Sequence, residues 1–124
     1  MREILFRGKT EDGSRWVYGM PCATEQSGIY AIQTLQGGIF DIIPETIGQY
    51  TGLTDKNGKK IFEGDIVKIS DINENFVCVW EKDNFEYEFK NKTMSFSVCG
   101  VHQDDIEIIG NIHDNKLEDF ENGC

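Results

Sequence analysis

The sequence predicts a mainly β fold, a small and partly open β-barrel with N-terminal hairpins and little helix. Three observations support this prediction. Short apolar runs recur along the 124 residues, turn-forming residues separate these runs at regular intervals, and no long segment keeps a helical period. Regular short strands of this kind are typical of small barrels and sandwiches.

The first half of the chain contains two predicted hairpins. Their predicted strands are residues 3–9 with 15–20, and residues 29–35 with 39–43. An Asp-Gly pair ending at Gly13 suits the first turn, because both residue types tolerate positive backbone angles. A Gly-Gly pair beginning at Gly37 suits the second turn, and Pro44 ends the strand that follows. Any helix should be short, such as one turn at residues 44–46 or one in the tail.

The second half contains a predicted meander. Its predicted strands are residues 66–69, 76–80, 85–90, 93–99 and 106–113. Residues 76–80 are apolar on both faces, which predicts a central strand. Residues 85–90 alternate strictly between aromatic and charged side chains, which predicts a half-exposed strand. The two predicted faces hold Phe85, Tyr87 and Phe89 on one side and Glu86, Glu88 and Lys90 on the other.

Composition and the first residues predict where the protein works. Apolar residues make up 39% of the chain and charged residues 27%, a balance that suits a folded, soluble domain. The sequence holds no apolar run of membrane-spanning length, and its start lacks the apolar core of a signal peptide. We therefore expect a cytoplasmic protein with no membrane partner, in which the four cysteines are reduced thiols.

Charge is distributed unevenly along the chain. Residues 1–70 hold eight Lys/Arg and nine Asp/Glu, whereas residues 71–124 hold four and thirteen, so nearly all of the net charge of −10 belongs to the second half. An acidic surface repels phosphate backbones and favours basic partners. Nucleic acid is thus disfavoured as a ligand, except through a local basic patch in the first half.

Four motifs together resemble one protein family. They are FRGK near the start, then WVYG, then IGQYTGLTDKNGKKIFEGDIVKI at residues 47–69, and finally IEIIGNIHDN. This combination resembles the YopX family, which phages and prophages encode, over Ile4 to about Asn115. The resemblance implies a mainly β fold with an SH3-like barrel in the second half, and it implies no activity and no catalytic residues. We expect one YopX-like domain at residues 1–115 and an acidic, flexible tail at residues 116–124, in a bacterial host cell.

The most specific part of the resemblance is the segment from Tyr50 to Asp65, which supplies the candidate binding residues. These are Tyr50, Thr51, Gly52, Asp55, Lys56, Asn57, Gly58, Lys59, Phe62, Glu63, Gly64 and Asp65. The favoured interpretation is structural. Glycines provide bends, Asn57-Gly58 forms a tight turn, Phe62 enters the core, and Asp65 accepts hydrogen bonds from backbone N–H groups at a second turn.

Functional alternatives for this segment are weaker. Lys56, Lys59, Lys60 and Lys68 could form a basic patch, with Tyr50 or Phe62 as a stacking face for single-stranded nucleic acid. Neighbouring carboxylates at Asp55, Glu63 and Asp65 largely cancel that charge. The same carboxylates could serve as acids or bases, but no nucleophile accompanies them. Glycine amides can hold anions, yet no Walker or dinucleotide pattern is present.

Two further features allow both a structural and a functional interpretation. Cys99 and His102 have the spacing of half a metal site, and Cys78 could add a further ligand. However, Cys78 alternates with core residues, and the sequence has no second clear pair of metal-ligating residues. The aromatic stripes, Trp16 with Tyr18 and residues 85–89, are first of all core side chains. Either stripe could instead lie at a partner or subunit interface, so a homo-oligomer is an open alternative.

These observations predict a phage or prophage accessory protein that is not an enzyme and needs no cofactor or metal. It would work as a β-barrel module that binds another protein or itself, with acidic strands such as those bearing Glu86 and Glu88 facing a basic partner. The alternative is a role linked to nucleic acid. That role would be weak binding through the lysine hairpin at residues 56–68, or acidic mimicry of DNA against a host protein.

Overall fold

A computed structural model describes residues 3–24 and 28–114, and strands dominate these ranges. Eleven strands are present there. In chain order they are β1 Phe6–Lys9, β2 Trp16–Thr24, β3 Gly28–Thr34, β4 Ile39–Asp41, β5 Gly48–Thr54, β6 Lys60–Phe62, β7 Asp65–Ile69, β8 Glu74–Glu81, β9 Glu86–Lys90, β10 Ser95–Ser97 and β11 Ile106–Asn111. Short 3₁₀ turns lie at Pro44–Thr46, Val98–Gly100 and Gln103–Asp105. The predictions of a mainly β fold and of a short turn near Pro44 are confirmed.

The strands form two antiparallel sheets. One has the order β4-β3-β2-β1-β5-β6 and the other the order β10-β9-β8-β7-β11. Neither sheet closes into a barrel within the ranges that the structure describes, although an isolated bridge joins Thr10 to Ile42. The barrel, and its SH3-like form in the second half, therefore stays a prediction.

The chain divides into two compact units, residues 1–50 and residues 51–124. The single domain at residues 1–115 stays a prediction, and the predicted tail at residues 116–124 lies outside the described residues.

The first unit contains the two predicted hairpins. β1 pairs with β2, and β3 pairs with β4, both antiparallel. Gly13 and Gly37 have φ values of 75° and 99° in the turns, a conformation that glycine adopts without a steric penalty. The core beneath the strands consists of Val17, Ile32 and Ile42. Turn chemistry and apolar alternation thus placed both hairpins correctly.

Asp12 fixes the turn of the first hairpin. Its Oδ1 accepts hydrogen bonds from the hydroxyl of Thr10 at 2.7 Å and from the backbone N–H and hydroxyl of Ser14 at 3.0 and 2.8 Å. These bonds, the backbone bond from Ser14 foremost, lower the pKa of Asp12 from 3.8 to about 2. The turn therefore depends on an ionised carboxylate.

The second unit contains the predicted meander. β7, β8, β9 and β10 pair in sequence order, and β11 pairs with the free side of β7. β8 is the third of five strands, as its apolar character predicted. The core cluster consists of fully or nearly fully buried side chains from the strands and the turn after β10. These are Ile61, Val67, Ile69, Phe76, Cys78, Phe89, Val98 and Ile106.

The predicted two-faced pattern of residues 85–90 is wrong at two positions. Phe85 precedes β9 with a φ of 53° and is 81% exposed, so it does not share the aromatic face of Tyr87 and Phe89. Glu88, which was expected to face solvent, is only 6% exposed, and its Oε2 accepts a hydrogen bond of 3.0 Å from the Asn84 side chain. Alternation in the sequence begins before the strand does, and neighbouring residues cover Glu88.

The described residues contain no helix with the length and apolar character that crossing a membrane requires.

Truncating Phe89 should destabilise the second unit. Phe89 is 0% exposed in the core, so Phe89→Ala should lower the free energy of unfolding by about 3–5 kcal/mol through lost burial and the cavity left behind. Phe85→Ala is the matched control, since that ring is exposed, and should change stability by less than about 0.5 kcal/mol. Urea unfolding followed by tryptophan fluorescence measures both. Equal losses would contradict this account of β9.

Candidate functional site

The segment from Tyr50 to Asp65 forms the end of β5, a tight turn, β6, and a second turn into β7. The first turn is closed by a backbone bond of 2.8 Å from Asp55 N–H to the Lys59 carbonyl. Within it, Gly58 has a φ of 79° and donates its N–H to the Asp55 carbonyl at 3.0 Å. The predicted turn at Asn57-Gly58 is confirmed.

Asp55 is the central polar residue of this segment, and it is 0% exposed. Its Oδ1 accepts backbone hydrogen bonds from Asn57 and Lys59, each 2.9 Å long. Its Oδ2 accepts a third, 3.0 Å long, from the backbone N–H of Ile108 in β11. Beside it, Lys56 N–H donates to the Ile106 carbonyl at 2.9 Å. One carboxylate therefore holds the turn closed and joins it to a strand 53 residues away.

The environment of Asp55 determines its charge. Burial by itself would raise the pKa of the carboxyl, but hydrogen bonds from the backbone N–H groups of Ile108, Lys59 and Asn57 outweigh that effect. The pKa of Asp55 is consequently below its ordinary value of 3.8. A carboxylate that stays ionised and whose oxygens accept backbone bonds is suited to a structural role, because a general acid or base needs a pKa near the working pH.

A second buried carboxylate, Asp65, holds the turn between β6 and β7. Asp65 is 2% exposed, and its Oδ2 accepts a 2.7 Å hydrogen bond from Phe62 N–H. Gly64 occupies this turn with a φ of 93°, donates to the Cys78 carbonyl and accepts from Ile112 N–H. The predicted role of Asp65 in satisfying backbone N–H groups is confirmed.

Most of the remaining candidate residues in this segment serve packing and backbone geometry. The hydroxyl of Thr51, a residue 3% exposed, donates to the Ile61 carbonyl at 2.9 Å. Gly52 has a φ of 92°. Tyr50 and Phe62 are buried. The structure therefore buries Tyr50, Thr51 and Phe62 inside the molecule, and Gly52 is half-buried, so these residues offer little contact surface.

Among the candidate binding residues of the segment, Lys56, Asn57, Gly58 and Lys59 are exposed, whereas Glu63 is half-buried. The predicted basic patch has its lysines at the surface, since Lys60 and Lys68 are exposed as well. Its predicted stacking faces are wrong, because burial keeps the rings of Tyr50 and Phe62 from stacking on bases. In addition, Lys56 Nζ lies 3.5 Å from Glu107 Oε1, which offsets part of its charge.

The residues considered for a metal site have different environments. Cys78 is 0% exposed in the core, whereas Cys99 is exposed at the surface. His102 is exposed, and its Nδ1 accepts a 3.2 Å hydrogen bond from Asp104 N–H. Among the described residues, no three His, Cys, Asp or Glu side chains are placed to hold a metal ion together. The core interpretation of Cys78 is confirmed.

The first aromatic stripe is only partly buried. The Trp16 ring is half-buried and has the Arg7 guanidinium 4.6 Å from its centroid, a cation–π contact. Tyr18 is 44% exposed. The prediction that Tyr18 is a core side chain is therefore wrong.

The sequence analysis missed an exposed row in which two apolar side chains flank an amide. Register places Met20 of β2 opposite Gln33 of β3, and Gln33 opposite Ile39 of β4, so these side chains adjoin on one face of the sheet. Met20 is 47% exposed and Ile39 is 62% exposed. We call these three residues the Met20–Ile39 row. Alternation identified the strands, but it could not indicate which apolar side chains remain uncovered.

Comparison with known proteins shows the family of this chain and a similar solved structure. The family model described as YopX protein matches residues 5–118, which confirms the resemblance found in the motifs. The crystal structure of protein EF1440 from Enterococcus faecalis is similar with a TM-score of 0.66 and 22% sequence identity, over 95% of this chain and 99% of that chain. At that identity the likeness shows the fold alone. A search of curated proteins found no match.

Replacing the buried carboxylate of Asp55 should destabilise the second unit. In Asp55→Asn, an amide group would face backbone N–H donors, so we expect a loss of about 2–4 kcal/mol in the free energy of unfolding. Asp71→Asn, at an exposed position, is the matched control and should cost less than about 0.5 kcal/mol. Denaturant unfolding at neutral pH measures both, and equal stability of the two variants would contradict the role given to Asp55.

The lowered pKa of Asp55 also predicts a pH dependence. A carboxyl whose pKa is lower in the folded than in the unfolded state stabilises the fold above the unfolded value of 3.8, and this contribution is lost as the pH falls through the folded value. The stability difference between the natural protein and Asp55→Asn should therefore shrink below about pH 4. Because Asp12 titrates in both proteins, its effect cancels. A constant difference from about pH 6 to about pH 3 would argue against an ionised Asp55.

Proposed function

This chain belongs to the YopX protein family, and from that premise we propose that it is a non-enzymatic accessory protein of a phage or prophage that works by binding another protein. The proposed place of action is the cytoplasm of the bacterial host. The observation that supports protein binding is the Met20–Ile39 row. We include in the proposal an SH3-like arrangement of the second unit, supported by its meander of β7 to β10.

The Met20–Ile39 row has the properties of a contact surface. It crosses three hydrogen-bonded strands, and Tyr18, two residues before Met20, projects to the same face of β2. Tyr18 and Met20 are exposed neighbours on that face, and grouped exposed apolar side chains favour protein contact, whereas single exposed ones are ordinary. Gln33 in the middle of the row adds an amide that can donate and accept hydrogen bonds with a partner.

The strands that carry the row are held in place by packing on the core of the first unit. Ile32 and Ile42 are buried in the core of the first unit, and β1 packs so closely on them that a Cβ at Gly8 would lie 2.8 Å from Ile42 Cδ1. A surface on such a base loses little conformational freedom when a partner binds, and this favours affinity.

The test is recovery of partners from host cells that carry the phage. A tagged Met20→Gln/Ile39→Thr variant should recover at least about tenfold less of the enriched partner than the natural protein, because two exposed apolar anchors are removed. Ile109→Thr is the matched control, since it makes the same kind of change at a position of the second unit that is 48% exposed. All three proteins should have similar thermal stability.

Each result of this experiment has a definite meaning. Equal recovery by the row variant and the control would overturn the role of the row. Recovery that disappears after nuclease treatment would support the nucleic-acid alternative instead. Turnover of a small substrate by the purified protein would overturn the non-enzymatic part of the proposal.

A further inference from the structure

β10 is an edge strand of the second sheet, and it pairs only with β9 within the described residues. The register places Ser95 opposite Lys90, Phe96 opposite Phe89 and Ser97 opposite Glu88. Edge strands have backbone groups directed away from their sheet, and these groups can pair with a strand from another chain. Which groups of β10 point outward can be worked out from the turn that precedes it.

The hydrogen bond of 3.0 Å from Asn91 N–H to the Met94 carbonyl makes these two residues a hydrogen-bonded pair. In an antiparallel ladder, such pairs alternate with pairs whose backbone groups point away from each other. The Lys90–Ser95 and Glu88–Ser97 pairs are therefore of the second type. The N–H and carbonyl of Ser95 and the N–H of Ser97 point to the open edge, whereas the carbonyl of Ser97 enters the 3₁₀ turn at Val98–Gly100.

The side chains next to this edge carry an excess of negative charge. Glu81 and Glu86 lie directly opposite each other on β8 and β9, an arrangement of like charges that is unfavourable by itself. Lys90 Nζ lies 2.7 Å from Glu81 Oε2 and so compensates one of them. Glu88 is 6% exposed, and the bond from Asn84 to its Oε2 comes from a neutral amide. Lys82 adds further positive charge near Glu81, so three glutamates and two lysines leave this face with a net negative charge.

Serine side chains keep the edge sterically open. Ser95 is exposed, and Ser97 is half-buried. Both are short, so a long side chain on an added strand could pass over Ser97 towards the small part of Glu88 that is exposed, one strand further into the sheet. Two strand spacings amount to roughly 10 Å between backbones, a distance that an extended basic side chain and a glutamate can cover together.

We propose that the β10 edge takes up an extended segment of a partner protein by strand addition, and that this segment carries a basic residue in the row of Ser97 and Glu88. The proposal rests on the protein-binding function above and names the chemistry of a partner. An antiparallel segment would form three backbone hydrogen bonds with Ser95 and Ser97. In that segment, the residue next to the basic one would lie beside Phe96 and should be apolar. The Phe96 ring is half-buried, and its centroid lies 5.6 Å from that of Phe76.

Proline at position 97 provides a selective test. Ser97 has a φ of −62°, which matches the angle that proline imposes, and its N–H points away from β9. Ser97→Pro should therefore leave the fold intact while it removes one outward donor and places a ring at the edge. Ser97→Ala is the matched control, because it keeps the N–H. Similar thermal unfolding of both variants verifies that the fold is retained.

Two fluorescein-labelled peptides serve as probes for fluorescence anisotropy. One alternates valine with lysine, and the other alternates valine with glutamate. We expect the natural protein and Ser97→Ala to bind the lysine peptide, and Ser97→Pro to bind it at least about tenfold more weakly. The natural protein should bind the glutamate peptide at least about tenfold more weakly than the lysine peptide. Glu88→Gln should weaken binding of the lysine peptide several-fold, and added salt should reduce that difference.

Binding of the lysine peptide that is unaffected by Ser97→Pro, or equal binding of both peptides, would overturn the proposal. If the natural protein is an oligomer and Ser97→Pro makes it monomeric, a second copy occupies the edge and the proposal is overturned as well. Failure here is separable from failure of the proposed function. If Ser97→Pro still recovers a cellular partner, the proposed protein binding is supported and only the role of the β10 edge is overturned. If the lysine peptide binds but no cellular partner is recovered, the β10 edge is supported and the proposed function is not.

Discussion

The carboxylate of Asp55 connects parts of the second unit that are distant in sequence. Two of its three hydrogen bonds close the turn after β5, and the third comes from Ile108 in β11. A buried, ionised group is stable only where donors surround it, so the turn and β11 must be in place together. The tight turn is thus part of the architecture of the sheet and more than a connection between two strands.

The most distinctive segment of the sequence is for this reason mainly a structural one. Asp55 and Asp65 satisfy backbone groups inside the molecule, and Gly58 and Gly64 adopt angles that other residues avoid. A substitution at these positions would be costly whatever the protein binds. The surfaces that we propose for partners lie elsewhere, at the exposed Ile39 and at the short Ser95.

Local chemistry explains what could be predicted from the sequence. Turn positions such as Gly13 and Gly37 depend on residues within the turn itself, and the central position of β8 follows from apolar residues on both faces. Phe85 and Glu88 could not be placed, because their exposure depends on where the strand begins and on Asn84. The bond between Asp55 and Ile108 spans 53 residues and has no local signal. Exposure of Ile39 likewise depends on the packing of other segments.

The burial of Cys78 gives the protein an intrinsic reporter of unfolding. Its thiol is 0% exposed on the central strand β8, whereas the thiol of Cys99 is at the surface. Alkylating reagents react with a solvent-accessible thiolate. Cys99 therefore reacts in the folded state, whereas Cys78 reacts only after β8 separates from its neighbours. The rate at which mass spectrometry detects alkylated Cys78 therefore reports how often the core of the second unit opens, without an engineered cysteine or an attached fluorophore.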